Sequence, residues 1–369
     1  MPTANRPPHR AFALRPGVPR WVAWLPVMLV LLDLAAEAVF PRAVAAGFLI
    51  TALPVLVAFS YGPVVAMLST AGAIGLQLAL AERAGHLGEQ HHVWVYVATL
   101  LSGAMGTALA WQRVGQEGSL KRARTVAETL QRAVLRPVPD RAGGLRVAGV
   151  YRAAHAESAI GGDLYAVCDT RFGARVLLGD VRGKGLEAVR TVAEVLGAFR
   201  AAAHDTADLA ELAEQLDRTV MREAADRDDD ELFVTAVMLQ HVPGSGRVEI
   251  VNRGHLDPLL LSGSDVTRVP CPDELPLGLG HLGRLGAAVR RPCPTFVDLP
   301  AGHTLLLHTD GVSEARDTAG TFYPLAARLR TLSTACPERV VSFLAQDVRS
   351  YAGQLSDDLA LLALTPAAA

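Results

Sequence analysis

Four long apolar stretches follow one another in the first third of the chain and restrict its fold more than any other feature. They run over Trp21–Phe40, Ala43–Tyr61, Pro63–Ala81 and Val93–Trp111. Each is close to the ~20 residues that an α-helix needs to cross the hydrocarbon core of a bilayer. A buried bundle of soluble helices is the alternative, but four consecutive and nearly uncharged segments favour a four-helix transmembrane domain over residues 21–111.

Basic residues flank this region and predict its orientation. Residues 1–20 are rich in proline and contain four arginines, and we expect them to be disordered. More basic residues follow the fourth stretch, whereas the loop Glu82–His92 holds one arginine and two glutamates. The positive-inside rule places both termini in the cytoplasm, which an even number of spans permits. We therefore expect a multi-pass protein of the cell membrane whose C-terminal part is cytoplasmic.

Two acids, Asp33 and Glu37, lie one helical turn apart in the first apolar stretch. Ionisable residues inside a membrane are functional candidates by default, so a buried ligand or proton site is one interpretation. A polar packing contact near one end of the helix is the other, and we favour it.

Residues 112–136 are polar and are predicted to form a linker helix that Pro137 and Pro139 end. Its apolar residues alternate by three and four, as the a and d positions of a coiled coil do: Leu120, Ala123, Ala127, Leu130 and Val134. Barely two heptads are present. The pattern therefore fits either a homodimer through this helix or an amphipathic helix packed on the next domain.

Charge and cysteine content exclude several classes of protein. The net charge of −2 provides no basic surplus for a nucleic-acid partner. The four cysteines are scattered without a C-x-x-C pair, which argues against a zinc site or a disulfide framework and fits a reducing compartment. Lysine occurs only as Lys121 and Lys184 beside abundant arginine, which indicates a GC-rich bacterial genome.

The remainder, residues 137–369, has the pattern of a globular domain in which strands and helices come in blocks. This arrangement predicts an α+β fold with antiparallel sheets and helices packed outside them. The predicted strands are Arg146–Tyr151, Leu164–Asp169, Ala174–Gly179, Leu232–Gln240, Arg247–Val251, Leu259–Leu261, Thr304–His308 and Leu359–Leu364. The predicted helices are Gly185–Ala203, Ala207–Ala225, Tyr323–Leu332 and Glu338–Tyr351.

Aspartates lie at the ends of several predicted strands, beside glycines or short turns. Asp163 opens one strand, Asp180 closes the next, Asp310 closes another, and Asp357 and Asp358 open the last. Aspartate also favours turns and caps, so any single member of the set is explained without a site. Together they predict a shared cleft, because strand ends of a sheet pair can converge.

A cluster of carboxylates repels itself unless a cation neutralises it. Oxygen ligands without histidine or cysteine suit Mg²⁺ or Mn²⁺ rather than Zn²⁺. Aspartates around two such ions are what hydrolysis of a phosphoryl group uses. The acidic set therefore predicts a metal-dependent phosphohydrolase.

Six motifs occur in a familiar order: GGDLY, GDVRGKG, NRGHLDPLLL, PLGLG, LLLHTDGVSEARD and SDDLALLAL. In these motifs the chain resembles the SpoIIE-type branch of the metal-dependent (type 2C, PPM) protein serine/threonine phosphatases, over residues 128–366. The resemblance implies a β-sandwich flanked by helices. The whole chain is then predicted to be an αββα, PPM-like domain preceded by an all-α membrane domain of four spans.

The resemblance also implies the site. Asp180 would bridge two Mn²⁺ or Mg²⁺ ions, the Val181 carbonyl would ligate one, and Asp163, Asp310 and Asp357 would complete the protein ligands. Asp180 and Asp163 would carry the chemistry, which is attack of a water bridging the two ions on phosphoserine or phosphothreonine, without a phosphoenzyme. The usual substrate in this branch is a phosphorylated anti-anti-sigma (STAS-domain) regulator.

Some positions depart from the family pattern or have an open role. Ala166 stands where many members have aspartate, and Asp257 where many have proline, which puts substrate preference in doubt. The turn Asn252–His255 matches a family turn that we interpret as structural. Lys184 either meets the phosphate as a point charge or is merely solvated.

Two rival functions remain at this point. One is a catalytically silent, phosphatase-like regulatory binding module, against which the occupied ligand positions weigh. The other is a transport or channel protein with an accessory soluble part, but the stretches contain no pair of broken helices of the kind that transporters show.

Overall fold

The computed structural model describes residues 18–39, 47–85, 90–153, 161–242, 244, 246–282, 291–332, 334 and 336–367. Most of the N-terminal segment for which we predict disorder lies outside these residues. The chain divides into two compact units, Met1–Arg122 and Ala123–Ala369.

The first unit is helical. Short 3-10 helices cover Arg20–Trp24 and Leu49–Ala52, and the α-helices are α1 (Leu25–Val39), α2 (Leu53–Ser60), α3 (Pro63–Ala84) and α4 (Gln90–Val134). By length and composition, two helical segments among the described residues can cross a membrane, namely Pro63–Arg83 and His92–Ser119.

The first two predicted spans are shorter helices than the sequence pattern indicates. α1 has 15 residues, and α2 has eight that follow a separate 3-10 turn. α2 stops where Tyr61 takes an extended conformation, before Gly62 and the proline that opens α3. The four-span domain is therefore not confirmed, whereas two apolar helices of spanning length are present.

Polar side chains make specific contacts within this helical unit. The Gln77 side-chain amide in α3 donates a hydrogen bond of 2.9 Å to the Thr99 hydroxyl in α4. Asp33 is buried, and its carboxylate accepts a hydrogen bond of 2.8 Å from the Leu49 backbone amide. Asp33 therefore makes a structural contact of the kind that we favour from the sequence; the Glu37 side chain lies outside the described part.

The predicted linker does not form a separate helix. α4 has 45 residues and contains both the fourth apolar stretch and the linker as far as Val134. It ends before Pro137, as predicted. On the proposed coiled-coil seam, Leu130 is 47% exposed whereas Val134 packs against the core of the second unit. The side chains of Leu120, Ala123 and Ala127 lie outside the description, so pairing through this helix stays a prediction.

The second unit contains two antiparallel sheets. One has the strand order β1-β2-β11-β10-β7-β8 and the other the order β3-β4-β5-β6-β9. Their bounds are β1 Arg141–Ala142, β2 Leu145–Arg152, β3 Asp163–Thr170, β4 Gly173–Val181, β5 Val234–Val242, β6 Arg247–Arg253, β7 Leu259–Ser262, β8 Asp265–Arg268, β9 Thr295–Asp298, β10 His303–His308 and β11 Leu359–Pro366. Strands β1, β8 and β9 were not predicted, because they are short edge strands without an apolar alternation.

Helices cover the outer faces of the two sheets. α5 (Leu186–Asp205) packs on β3 and β4, α6 (Leu209–Arg227) packs on β5 and β6, and α9 (Pro337–Ala352) packs on β2 and β11. Two short helices, α7 (Asp310–Ser313) and α8 (Leu325–Leu329), lie between β10 and α9 in the chain. The predicted α+β sandwich flanked by helices is confirmed.

Strand β11 shows how the sequence specifies these layers. Side chains of a strand alternate between the two faces of its sheet. Leu362 and Leu364 point into the core between the sheets, whereas Leu361 and Ala363 belong to the cluster that contains the apolar face of α9. A continuous apolar run is therefore required here, because both faces of the strand are buried.

An arginine in the middle of the second sheet fixes the end of α5. Arg175 of β4 is fully buried. Its guanidinium donates hydrogen bonds of 3.0 Å to the Ala203 carbonyl and 2.5 Å to the Ala207 carbonyl, another to Thr206, and one of 2.9 Å to the Gln240 side chain. The last carbonyls of a helix have no partner within the helix, and this side chain supplies one.

We expect Arg175→Met to lower the free energy of unfolding by about 3 kcal/mol or more, because it leaves several buried carbonyls without a donor. Thermal unfolding of the chain in detergent measures the effect. Arg171→Met is the matched control, since that side chain is exposed, donates one long hydrogen bond of 3.5 Å to the Asp205 carbonyl and stacks on the neighbouring Phe172 ring. Equal unfolding temperatures for the two variants would contradict this role of Arg175.

Candidate metal centre

Asp163 and Asp180 face each other across the β3–β4 hairpin. The two residues are direct partners in the antiparallel register. The preceding residue, Gly162, allows an unusually close approach: a Cβ added there would lie 2.3 Å from the Val181 carbonyl oxygen and 2.8 Å from an Asp180 carboxylate oxygen. Glycine is therefore required at 162, and it brings three of the predicted ligand groups into one place.

The other predicted ligands come from the opposite sheet. Asp310 does not close a strand, as the sequence pattern predicts: β10 ends at His308, and Asp310 is the first residue of the single-turn helix α7. Asp357 and Asp358 precede β11, which begins at Leu359. Because β10 and β11 are neighbours, these acids lie at one end of their sheet.

The chain is packed tightly at this point as well. A Cβ on Gly311 would lie 1.7 Å from the Asp358 carbonyl oxygen, so α7 can start here only with glycine at its second position. This contact holds the segment that carries Asp310 against the segment that carries Asp357.

The electrostatics show that these carboxylates are mutual neighbours. Burial, reinforced by Asp180, raises the pKa of Asp163 well above its usual value. Burial also raises the pKa of Asp180 to about 7, with Asp310 and Asp357 adding to the shift. The pKa of Asp310 is raised by burial and then by Asp357. Four acids drawn from both sheets therefore lie close together, with Asp163 buried and Asp357 at the solvent-exposed side.

The acids are neighbours, but their side chains are not arranged as a preformed metal site. Within the described ranges, no three Asp, Glu, His or Cys side chains are arranged to hold a metal ion. The donor set nevertheless fits one, because it consists of oxygens alone, which Mg²⁺ and Mn²⁺ prefer. A divalent cation would also offset the mutual repulsion that adds to burial in raising these pKa values.

Lys184 lies at the same place. Its ammonium group is 3.0 Å from the Asp357 carboxylate, and both side chains are 41% exposed. Its charge opposes the upward pKa shifts of Asp180 and Asp310. Lys184 therefore forms a solvent-exposed ion pair with a predicted ligand, and its contact with a phosphate stays a prediction.

Sequence reasoning missed the residues that hydrogen-bond to the acids and to the backbone beside them. The Thr309 hydroxyl donates a hydrogen bond of 2.8 Å to Asp163, and the Tyr151 hydroxyl donates one to Asp358. The Gln131 side-chain amide, near the end of α4, donates to the Gly161 carbonyl at 3.3 Å. Only Thr309, next to Asp310, had a signal in the sequence; the other contacts join residues far apart in the chain.

The Asn252–His255 turn supports β5, the strand next to β4. Asn252 accepts a hydrogen bond of 2.8 Å from the His255 amide. The His255 ring lies 3.0 Å from the hydroxyl of Thr235, which is the register partner of Asp180. Burial lowers the pKa of His255 to about 3, so its ring is neutral and serves structure.

Two antiparallel sheets with outer helices, and acids where strands from both sheets end, define the class of metal-dependent PPM phosphatases. The family model for stage II sporulation protein E (SpoIIE) matches residues 171–366. The chain belongs to this family, the SpoIIE-type branch of the metal-dependent protein serine/threonine phosphatases. No curated protein matches the sequence.

Solved structures are similar to this chain at low sequence identity. The SiaA-PP2C domain of Pseudomonas aeruginosa is 16% identical, with a TM-score of 0.53 over 68% of this chain and 98% of that one. The RsbU and RsbW domains of a Mycobacterium tuberculosis protein are 22% identical, with a TM-score of 0.49 over 62% of each chain. The phosphatase domain and regulatory fragment of Bacillus subtilis SpoIIE are 17% identical, with a TM-score of 0.49 over 60% of this chain and 63% of that one.

We expect the metal-free protein to lose stability as the pH rises. The folded-state pKa of Asp180, about 7, exceeds its ordinary value of 3.8, so protonation stabilises the folded state. That contribution is complete below about pH 4 and disappears as the pH rises through 7. In EDTA at pH 8, Asp180→Asn should therefore raise the unfolding temperature by several degrees, at roughly 2–4 °C per kcal/mol.

Thermal unfolding between pH 5 and pH 8 checks this expectation. Asp265→Asn is the control, because this exposed aspartate lies outside the acidic set. Added Mn²⁺ should raise the unfolding temperature of the wild type at pH 8 more than that of Asp180→Asn. If the unfolding temperatures of Asp180→Asn and the wild type change with pH in the same way, the Asp180 carboxylate does not destabilise the metal-free protein as expected.

Proposed function

We propose that the chain is a membrane-anchored, metal-dependent phosphatase that hydrolyses phosphoserine or phosphothreonine in a regulatory protein. The observation that carries the proposal is the pairing of Asp163 with Asp180 across β3 and β4, with Asp310 and Asp357 supplied by the other sheet. Membership of the SpoIIE family supports the reaction type.

The protein's own groups would act as follows. The carboxylates of Asp163, Asp180, Asp310 and Asp357 and the Val181 carbonyl would hold the metal ions. When bound, two Mn²⁺ or Mg²⁺ ions supply a nucleophilic water and offset the charge of the phosphoryl group. Thr309 holds Asp163 in place through its 2.8 Å hydrogen bond. Lys184, which pairs with Asp357, would meet phosphate oxygens as a point charge.

The proposed substrate is a phosphorylated anti-anti-sigma protein of the STAS type, and the proposed role is control of a sigma factor or a related partner switch. This step rests on membership of the family. A silent regulatory module remains the alternative, and the presence of all four predicted carboxylates weighs against it.

The proposed organisation has four parts: a disordered basic segment over 1–20, a transmembrane domain over 21–111, a helical linker over 112–136 and a phosphatase domain over 137–369. Two helical segments of spanning length support the membrane domain. The catalytic domain would lie in the cytoplasm, and the exposed Leu130 side chain leaves the linker free to pair with a second copy.

We expect hydrolysis to require a divalent ion and to be abolished by Asp180→Asn, because that carboxylate would carry both ions. Release of phosphate from a phosphorylated STAS protein and from p-nitrophenyl phosphate measures activity, with Mn²⁺, with Mg²⁺ and with EDTA. Asp265→Asn should retain wild-type activity. Undiminished turnover in excess EDTA would remove the metal-dependent mechanism, and activity on p-nitrophenyl phosphate alone would remove only the proposed substrate.

We expect both termini to be cytoplasmic, with the loop near residue 87 outside. Reporter domains that are active on only one side of the membrane test this when inserted after residue 41, after residue 87 and at the C-terminus. An insertion after residue 41 should be external if the chain has four spans and cytoplasmic if only α3 and α4 cross. A C-terminal reporter that is active only outside the cytoplasm would overturn the orientation.

A further inference from the structure

We propose that a pocket beside the end of α4 binds a phosphate-type dianion between Arg136 and Arg200. The pocket is a small, partly open cleft that lies along β3, the edge strand of its sheet. Tyr165, Ala166 and Cys168 of β3 line it together with the two arginines. None of the predicted metal ligands lines it, so it is a separate site.

The pocket is positively charged without an internal counter-charge. Among the described residues, neither Arg136 nor Arg200 forms an ion pair with a carboxylate, whereas arginines elsewhere in this unit do, such as Arg253 with Asp217 at 3.3 Å. The pKa of Arg200 is lowered by burial and then by Arg136, so the two guanidinium groups affect each other. Arg200 is partly buried and Arg136 is exposed at the mouth of the pocket, and two like charges that line one cleft favour an anion between them.

Arg200 is held in position before any ligand arrives. One of its amino groups donates a hydrogen bond of 2.8 Å to the Val134 carbonyl in the last turn of α4. Capping that helix end accounts for one of the five N–H donors of a guanidinium. Arg136 takes no part in this capping contact. It follows the helix by two residues and lines the same pocket.

The chemistry of the lining selects a dianion that accepts several hydrogen bonds. A guanidinium matches phosphate oxygens with parallel N–H donors, and phosphate carries close to two negative charges at neutral pH. A single carboxylate would leave one arginine uncompensated. Inorganic phosphate and the phosphate headgroup of a lipid share this chemistry.

Cys168 provides a reporter inside the pocket, and Cys293, which is exposed and does not line it, provides an internal reference. The full-length chain is kept in detergent with EDTA. Without metal ions the acidic cluster repels anions, so phosphate does not bind at the candidate metal site. Peptide mass spectrometry measures the rate of alkylation of each cysteine at increasing phosphate concentrations. Chloride at the same ionic strength is the control. A second arm reconstitutes the chain in phosphatidylcholine bilayers with or without phosphatidic acid.

We expect phosphate to slow alkylation of Cys168 but not of Cys293. Arg136→Gln should weaken the apparent phosphate affinity about tenfold or more, because it removes a charge-assisted contact. Arg218→Gln is the matched control, since that arginine is exposed and pairs with Glu214. Protection by phosphatidic acid alone identifies a lipid headgroup as the source. No protection in either arm, or equal protection in Arg136→Gln and wild type, overturns the proposal.

Discussion

Crowding of negative charge in a low-dielectric place is the constraint on which the rest of the catalytic unit depends. Like charges directly opposite each other on neighbouring strands destabilise a sheet. The register nevertheless places Asp163 against Asp180, and Gly162 allows the backbone to close tightly around them. The surrounding strands, the Thr309 hydroxyl and the start of α7 hold these acids together, at a cost that a bound cation would offset.

α5 connects this acidic site to the rest of the domain. Its first turn follows the loop after Asp180, and its last carbonyls are satisfied by Arg175, which projects from β4. Between these ends, Arg200 extends to the final turn of α4. Two arginines therefore fix one helix against a strand on one side and against a second helix on the other.

Sequence reasoning recovered the parts of this molecule that have local signals. The β3–β4 hairpin and its aspartates follow from apolar runs that end in glycines, and the eight predicted strands lie where expected, with ends that shift by a residue or two. α7 was missed because a four-residue helix shows no periodicity, and β8 was missed because its side chains are exposed. The contacts of Gln131 and Tyr151 join residues 30 and 207 positions apart, which no local pattern encodes.

The Lys184–Asp357 pair has a consequence for the order of events at the site. Asp357 is a predicted ligand, so in the proposed site the Lys184 ammonium group and a divalent cation would compete for one carboxylate. An exposed ion pair of this kind is weakened by salt, so it would give way to a doubly charged ion that several carboxylates hold at once. The lysine would thus act as a placeholder that neutralises Asp357 while no metal is bound and that becomes available to another anion once one is.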